Sequence, residues 1–169
     1  YEYDENKHWI RALLVNVDLP SQEKKVIFDL SSDEAYANPG SPVMETLKTG
    51  YRVIRQRQDF IFLSGTGASS EGDRPFLDQM DFKTLKTERL FRSDKVSYEN
   101  FVSFTNTDEK QFLTRYQSPD DMPNLFIRTL GEKVQATAGE PLFSSTKVAL
   151  THIPDPTPEV RKIKKKLVK

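Results

Sequence analysis

Met80-Asp81-Phe82-Lys83-Thr84, then Leu85-Lys86-Thr87-Glu88, then Arg89-Leu90-Phe91 reads as the end of one apolar strand, a polar turn opened by an aspartate, and a second apolar strand. The same arrangement occurs 63 residues earlier, where Val17-Asp18-Leu19-Pro20-Ser21 is followed by charged residues and Val26-Ile27-Phe28. Asp18 matches Asp81, Leu19 matches Phe82, Ser21 matches Thr84, and Ile27-Phe28 match Leu90-Phe91. Phe126-Ile127-Arg128-Thr129-Leu130-Gly131-Glu132 is a fainter third copy, about 47 residues further on. An apolar strand, a polar turn and a second strand form the outer hairpin of a propeller blade, in which about 40–45 residues make four strands. The longer first interval contains the insertion-like stretch 64–74, which accounts for the excess.

The rest of the chain reads the same way. Short runs rich in β-branched and aromatic residues lie at His8–Val17, Lys25–Leu30, Tyr51–Arg55, Asp59–Ser64, Pro75–Phe82, Arg89–Arg92, Asn100–Thr105, Gln111–Tyr116, Asn124–Thr129 and Lys147–Thr151. Asn38-Pro39-Gly40-Ser41-Pro42, Thr49-Gly50, Ser118-Pro119-Asp120-Asp121 and Leu130-Gly131-Glu132 separate them as turns. No sustained helical period runs through the body, so the expected fold is all-β, built of consecutive antiparallel blades. The length holds about three to four of them, and closed propellers have four to eight. The expectation is a partial propeller whose edge strands lack partners and favour association of copies.

The chain has 169 residues, 36% of them hydrophobic, which suffices for a real core in one domain. No run of 18 apolar residues is present. Tyr1-Glu2-Tyr3-Asp4 has no basic or apolar leader and no methionine, and is read as a processed or cut terminus. The absence of cysteine excludes disulfide scaffolds, thiolate zinc sites and thiol nucleophiles. The zero net charge is a sum of unlike parts. Residues 161–169 carry six positive charges and no acid, leaving residues 1–160 with 19 basic against 25 acidic groups. Pro154-Asp155-Pro156-Thr157-Pro158 stiffens the approach to this tail, so 1–153 is read as the partial propeller and 154–169 as a connector to a further domain.

Candidate chemistry is sparse. The glycine-rich loop 64–74 lacks the Gly-Lys-Ser/Thr of a phosphate cradle and is followed by the strand-like Pro75-Phe76-Leu77, so it reads as a hairpin loop with glycines at positive φ. No Gly-x-Ser-x-Gly elbow occurs. His8 and His152 stand apart, which disfavours a tetrahedral zinc site. Asp4-Glu5 and Asp120-Asp121 read as terminus and turn residues rather than glycosidase pairs. Phe60/Phe62 and Phe101/Phe104 read as core residues. No catalytic, cofactor-binding or metal-binding residue is assigned; nucleic acid is not an expected partner because the body is acidic, nor is a membrane, because no apolar run spans a bilayer and the basic tail reads as a connector.

Three strings resemble a known family. Asn38-Pro39-Gly40-Ser41-Pro42-Val43-Met44, the Gly65–Asp78 string with Gly67-Ala68 and Gly72-Asp73-Arg74-Pro75-Phe76-Leu77-Asp78, and Glu88-Arg89-Leu90-Phe91-Arg92-Ser93-Asp94 resemble the β-propeller of prolyl oligopeptidase-family serine peptidases, in particular the glutamyl-endopeptidase-like branch. The ending from Pro154 to Lys169 resembles the segment by which such a propeller hands over to its catalytic domain. The resemblance implies a Ser-Asp-His triad on a downstream α/β-hydrolase domain, so no triad residue maps onto this chain. It implies that the propeller caps that active site, gates the entry of peptides, and takes its own C-terminal α/β-hydrolase domain as partner, with no cofactor. A periplasmic or secreted location is the favoured expectation. The substrate-binding residues are unknown; Arg74, a basic residue in the glycine loop, is a candidate to face an acidic substrate side chain, but reads first as a turn residue. The rival reading is a stand-alone β-sandwich or barrel that binds carbohydrate or protein.

Overall fold

A computed structural model describes residues 1–135 and 139–151. His152, the Pro154–Pro158 stretch, the basic tail and the domain boundary expected at 153/154 lie outside the described residues.

Fourteen strands form three antiparallel sheets and a hairpin. The first sheet is β1 (Glu2–Asp4), β2 (Trp9–Leu14) and β3 (Lys25–Ser31), in that order. A short 3-10 turn at Ala35–Ala37 leads to the second sheet. This runs from β4 (Ser41–Pro42) through β8 (Phe60–Gly65) and β9 (Phe76–Asp81) to β10 (Thr87–Arg92), and β7 (Gln56–Arg57) also pairs with β8. Between β4 and β7 the chain leaves the sheet as the hairpin β5 (Met44–Thr46) and β6 (Arg52–Ile54). The third sheet is a simple meander of β11 (Tyr98–Phe104), β12 (Gln111–Gln117), β13 (Asn124–Lys133) and β14 (Phe143–Ala149). Among the described residues there is no α-helix.

Each of the ten apolar runs overlaps a strand, and β10, β11, β13 and β14 extend beyond their runs. The missed strands β1, β4, β5 and β7 have two or three residues each, too few for an alternating pattern to register. The β9–β10 turn forms where the repeated aspartate stands. Asp81 Oδ1 accepts bonds from the backbone N–H groups of Lys83 (2.8 Å) and Thr84 (3.0 Å), which hold its carboxyl below the usual range. In the earlier copy Asn16, not Asp18, takes the accepting role, bonding to the Asp18 N–H at 3.0 Å. The third copy is corrected. No turn falls at Leu130-Gly131-Glu132; β13 runs through it to Lys133, with a register irregularity between Leu130 and Lys133. A Cβ at Gly131 would meet the Ser144 hydroxyl on β14, so the glycine marks a close approach of strands and not a turn.

The buried core lies between the second and third sheets. Phe62 of β8, Leu77 of β9, and Leu90 and Phe91 of β10 meet Phe104 of β11 and Phe112 of β12, with Val43 beside them. Burial of each such side chain stabilises by about 1.5–3 kcal/mol. Phe62 and Phe104 pack edge to face with centroids 4.8 Å apart. Phe101 and Phe104 are three residues apart, yet both serve this core, because a bulge between Phe101 and Ser103 resets the alternation.

Candidate functional site

The three strings singled out in the sequence meet on the second sheet. Gly40 has φ +83, and a Cβ there would lie 2.6 Å from the Ser64 carbonyl oxygen, so only glycine lets the chain enter β4 alongside β8. Gly65 sits opposite it: its own Cβ would lie 3.0 Å from the Gly40 Cα and 2.9 Å from the Phe76 ring. The loop 64–74 then joins the neighbouring strands β8 and β9, as a hairpin loop should. Gly67 (φ +62) and Gly72 (φ +105) supply its left-handed turns, and Arg74 N–H donates to the Gly67 carbonyl at 3.0 Å.

Arg74 and the Glu88–Asp94 string converge on an arginine cluster. Arg74 is buried; its Nε donates to the Ser93 carbonyl (2.9 Å), and its two terminal nitrogens grip Glu140 at 2.8 and 3.3 Å. Arg89 forks onto Asp78 at 2.8 and 3.0 Å and lies over the Phe76 ring at 4.3 Å. Arg89 and Arg92 both donate to the Gly139 carbonyl, at 3.1 and 3.0 Å. Arg92 Nε is buried and has no hydrogen-bond partner among the described residues. Burial, then repulsion from Arg74 and Arg89, lowers the Arg92 guanidinium from its ordinary value. The hydrogen bond from Arg74 holds the Glu140 carboxyl low. This is a receptor for a carboxylate, filled by a carboxylate of the chain itself. Glu140 stands on the connection between β13 and β14, so the cluster ties the third sheet to β10, the edge strand of the second. The backbone bond from Leu142 N–H to the Arg89 carbonyl (2.8 Å) runs along the same seam.

The other expected candidates are dispersed. His8 Nδ1 lies 3.1 Å from Asp33 on the exposed surface, and Ser31 Oγ donates to the His8 backbone carbonyl, so no nucleophile is aligned on this imidazole. Asp4 closes a turn onto the Lys7 N–H at 3.2 Å. The N–H groups of Asp120 and Asp121 donate to Ser118 Oγ at 3.2 and 3.0 Å, within a turn. Phe62 is core and Phe60 half-buried. No group of three potential metal ligands occurs among the described residues.

Two ion-pair networks escaped the sequence reading. Glu99, 1% exposed, accepts from Arg128 Nε and a terminal nitrogen (2.7 and 2.6 Å) and from Thr114 Oγ1 (2.6 Å). Arg55 donates to Glu109 (2.9 and 2.7 Å) and to the Asn106 carbonyl (2.6 Å), pinning the β6 strand to the turn after β11. For the first network the charges of Glu99 and Arg128 inside β11 and β13 were a signal, since an inward-facing charge needs a partner; Arg55 and Glu109 lie outside strands and gave none.

A cleft of about 560 Å³ separates the first sheet from the second. Ala12 and Phe28 on one side and Ile61, Leu63, Phe76 and Met80 on the other make it largely apolar.

Comparison with known proteins gives two plant relatives. The chain is 28% identical, over 173 residues, to a protein of Oryza sativa subsp. japonica named probable glutamyl endopeptidase, chloroplastic; the match covers 94% of this chain and 17% of the relative. It is 28% identical, over 156 residues, to the protein of the same name from Arabidopsis thaliana, covering 86% of this chain and 15% of that one. The chain thus spans about a sixth of the length of the curated relatives it matches. No family model matches the chain, and no solved structure matches it significantly. The similarity relates the chain to part of peptidase-named proteins.

Proposed function

We propose that this chain is a non-catalytic β-propeller portion of a serine peptidase of the prolyl oligopeptidase type, which caps a downstream α/β-hydrolase active site and gates the entry of peptides cleaved after glutamate. The observation that carries the reading is the similarity along 94% of the chain to one stretch of a protein named a glutamyl endopeptidase. The repeat adds to it. Phe28 of β3 faces the second sheet across the cleft, and its repeat partner Phe91 of β10 packs on Phe112 of the third sheet, 5.7 Å between centroids. Matching residues of successive sheets therefore point to the next sheet along the chain, which is how blades stack. The arginine cluster is filled by Glu140 and joins sheets, so its carboxylate-binding groups are engaged in packing. The part this chain plays is steric, and the bond-breaking groups belong to the partner domain.

A serine-reactive fluorophosphonate and a glutamate-containing chromogenic peptide test the reading. The 169-residue chain is expected to take no label and cleave nothing, and the longer polypeptide that contains it to do both. Labelling of the chain alone overturns the assignment, as does a longer polypeptide that resists the reagent.

A further inference from the structure

We propose that the groove between the β5–β6 hairpin and β11 binds peptide, with Arg52 as the receptor for the carboxylate of a glutamate side chain. The choice of a peptide as occupant rests on the reading of the chain as the gate of a peptidase.

The hairpin is built as a fixed arm. Residues 43–59 join β4 to β8, strands that pair directly, where a loop of about two to five residues would serve. The base is closed by bonds from Val43 N–H to the Phe62 carbonyl and from Arg55 N–H to the Val43 carbonyl, both 2.8 Å. The tip is closed by Leu47 N–H on the Tyr51 carbonyl and Gly50 N–H on the Leu47 carbonyl, both 2.9 Å. Arg57 forks onto Glu45 with both terminal nitrogens at 3.1 Å, and Arg55 ties the same base to Glu109 and the Asn106 carbonyl. An arm braced in this way has already lost the freedom that a mobile loop would lose on binding.

The groove has a volume of about 440 Å³, a size suited to a ligand. The arm forms one wall and residues 101–104 of β11 the other. β4 and β11 are edge strands of their sheets, so the groove opens along sheet edges and not within the core. Of its charged groups, Glu45 and Arg55 are committed to the brace. Arg52 is exposed, and its side chain bonds to no described residue; nor do the hydroxyls of Thr46, Ser64 and Ser103, which also line the groove. Arg52 stands directly opposite Thr46 in the pairing of β6 with β5. An unpaired guanidinium with hydroxyl donors around it is the chemistry that receives a carboxylate. Met44 and Val102, 41% and 46% exposed, give the groove apolar surface for the rest of a peptide. The cluster at Arg74 is the contrast: there Glu140 already fills the receptor, whereas Arg52 is uncommitted.

Amide NMR spectra of the 169-residue chain, titrated with an amidated hexapeptide of alanines around one glutamate, test the proposal. Saturable shifts are expected at Thr46, Arg52 and Ser103. The glutamine counterpart of the peptide should bind about fivefold or more weakly. Arg52→Ala should bring the glutamate peptide down to the affinity of the glutamine one without moving the melting temperature. Arg115→Ala removes another exposed, unpaired arginine outside the groove and should leave binding unchanged. Equal binding of the two peptides overturns the proposal, as do shifts that miss these amides or an Arg115→Ala loss as large as that of Arg52→Ala. Should Arg52→Ala fail to fold, the two peptides on the parent chain decide alone. Fluorophosphonate labelling of the longer polypeptide is a separate readout. Labelling without peptide binding sinks the groove and leaves the peptidase reading standing; binding without labelling does the reverse.

Discussion

Glu99 is a buried carboxylate whose charge is met by Arg128, which forks onto it while lying 4.8 Å above the Phe91 ring, by the Thr114 hydroxyl and by Lys147 at 3.9 Å. Glu99→Ala removes the carboxylate that neutralises Arg128, leaving that guanidinium only its bond to the Ser145 hydroxyl and the Phe91 face, and should destabilise by about 3–5 kcal/mol, measured by urea unfolding. Gly40→Ala forces a side chain into positive φ and against the Ser64 carbonyl, and should cost about 2 kcal/mol or more by the same measurement. Titration adds a third expectation. Hydrogen bonds from Arg74 and Arg57 hold Glu140 and Glu45 below the ordinary carboxyl value of 4.5. A depressed native pKa means the unfolded chain binds protons more readily, so this stability is complete above pH 4.5 and is lost as pH falls through the lower native values. Thermal melts should show a steeper loss below that pH in the parent sequence than in a Glu140→Gln, Glu45→Gln double variant. The sequence places Gly40 in a turn, Phe91 and Arg128 in strands, and Arg74 in a turn; the structure shows Arg74 buried and bonded to Ser93 and Glu140. Glu99, Glu109 and Glu140 were illegible, because their partners lie 29, 54 and 66 residues away and no spacing rule links them.

At the level of elements, the short strands were legible because alternating apolar residues bounded by turn residues survive in every run that became a strand. Gly131 was misread because glycine serves both turns and close strand crossings, and only the position of Ser144 decides between them. The connection after β13 does more than link strands. Through Glu140, Gly139 and Leu142 it covers β10, the outer edge of the second sheet, with side-chain and backbone bonds. Such cover blunts an edge that would otherwise invite pairing. Arg74→Ala should therefore cost about 2–3 kcal/mol, the range for charge-assisted bonds lost from a buried group, while Glu140→Gln costs less because Glu140 is 39% exposed and is rehydrated when released. In the longer polypeptide, Arg74→Ala should lower the melting temperature and leave KM for a glutamate peptide unchanged. A selective rise in KM at constant melting temperature would move Arg74 from the seam to the substrate.

For the molecule as a whole, the neutral total charge conceals an acidic body of 25 acidic against 19 basic groups and a basic segment at 161–169. The sequence argued for repetition of a strand–turn–strand unit, and the described residues build sheets in succession, the first two sending the matching aromatics Phe28 and Phe91 toward the next. How sheets stack is not written in local pattern, because the cleft beside the first sheet and the filled core beside the third arise from equally apolar faces. We propose that these sheets are consecutive blades of one propeller set over a hydrolase domain. The most direct measurement is a crystal structure of the longer polypeptide, read at residues 1–151. The three sheets are predicted to follow one another around a common axis, the second between the first and third, with one end of that axis over a serine nucleophile. Sheets closed on each other as a free-standing sandwich, or a ring remote from any nucleophile, would contradict it.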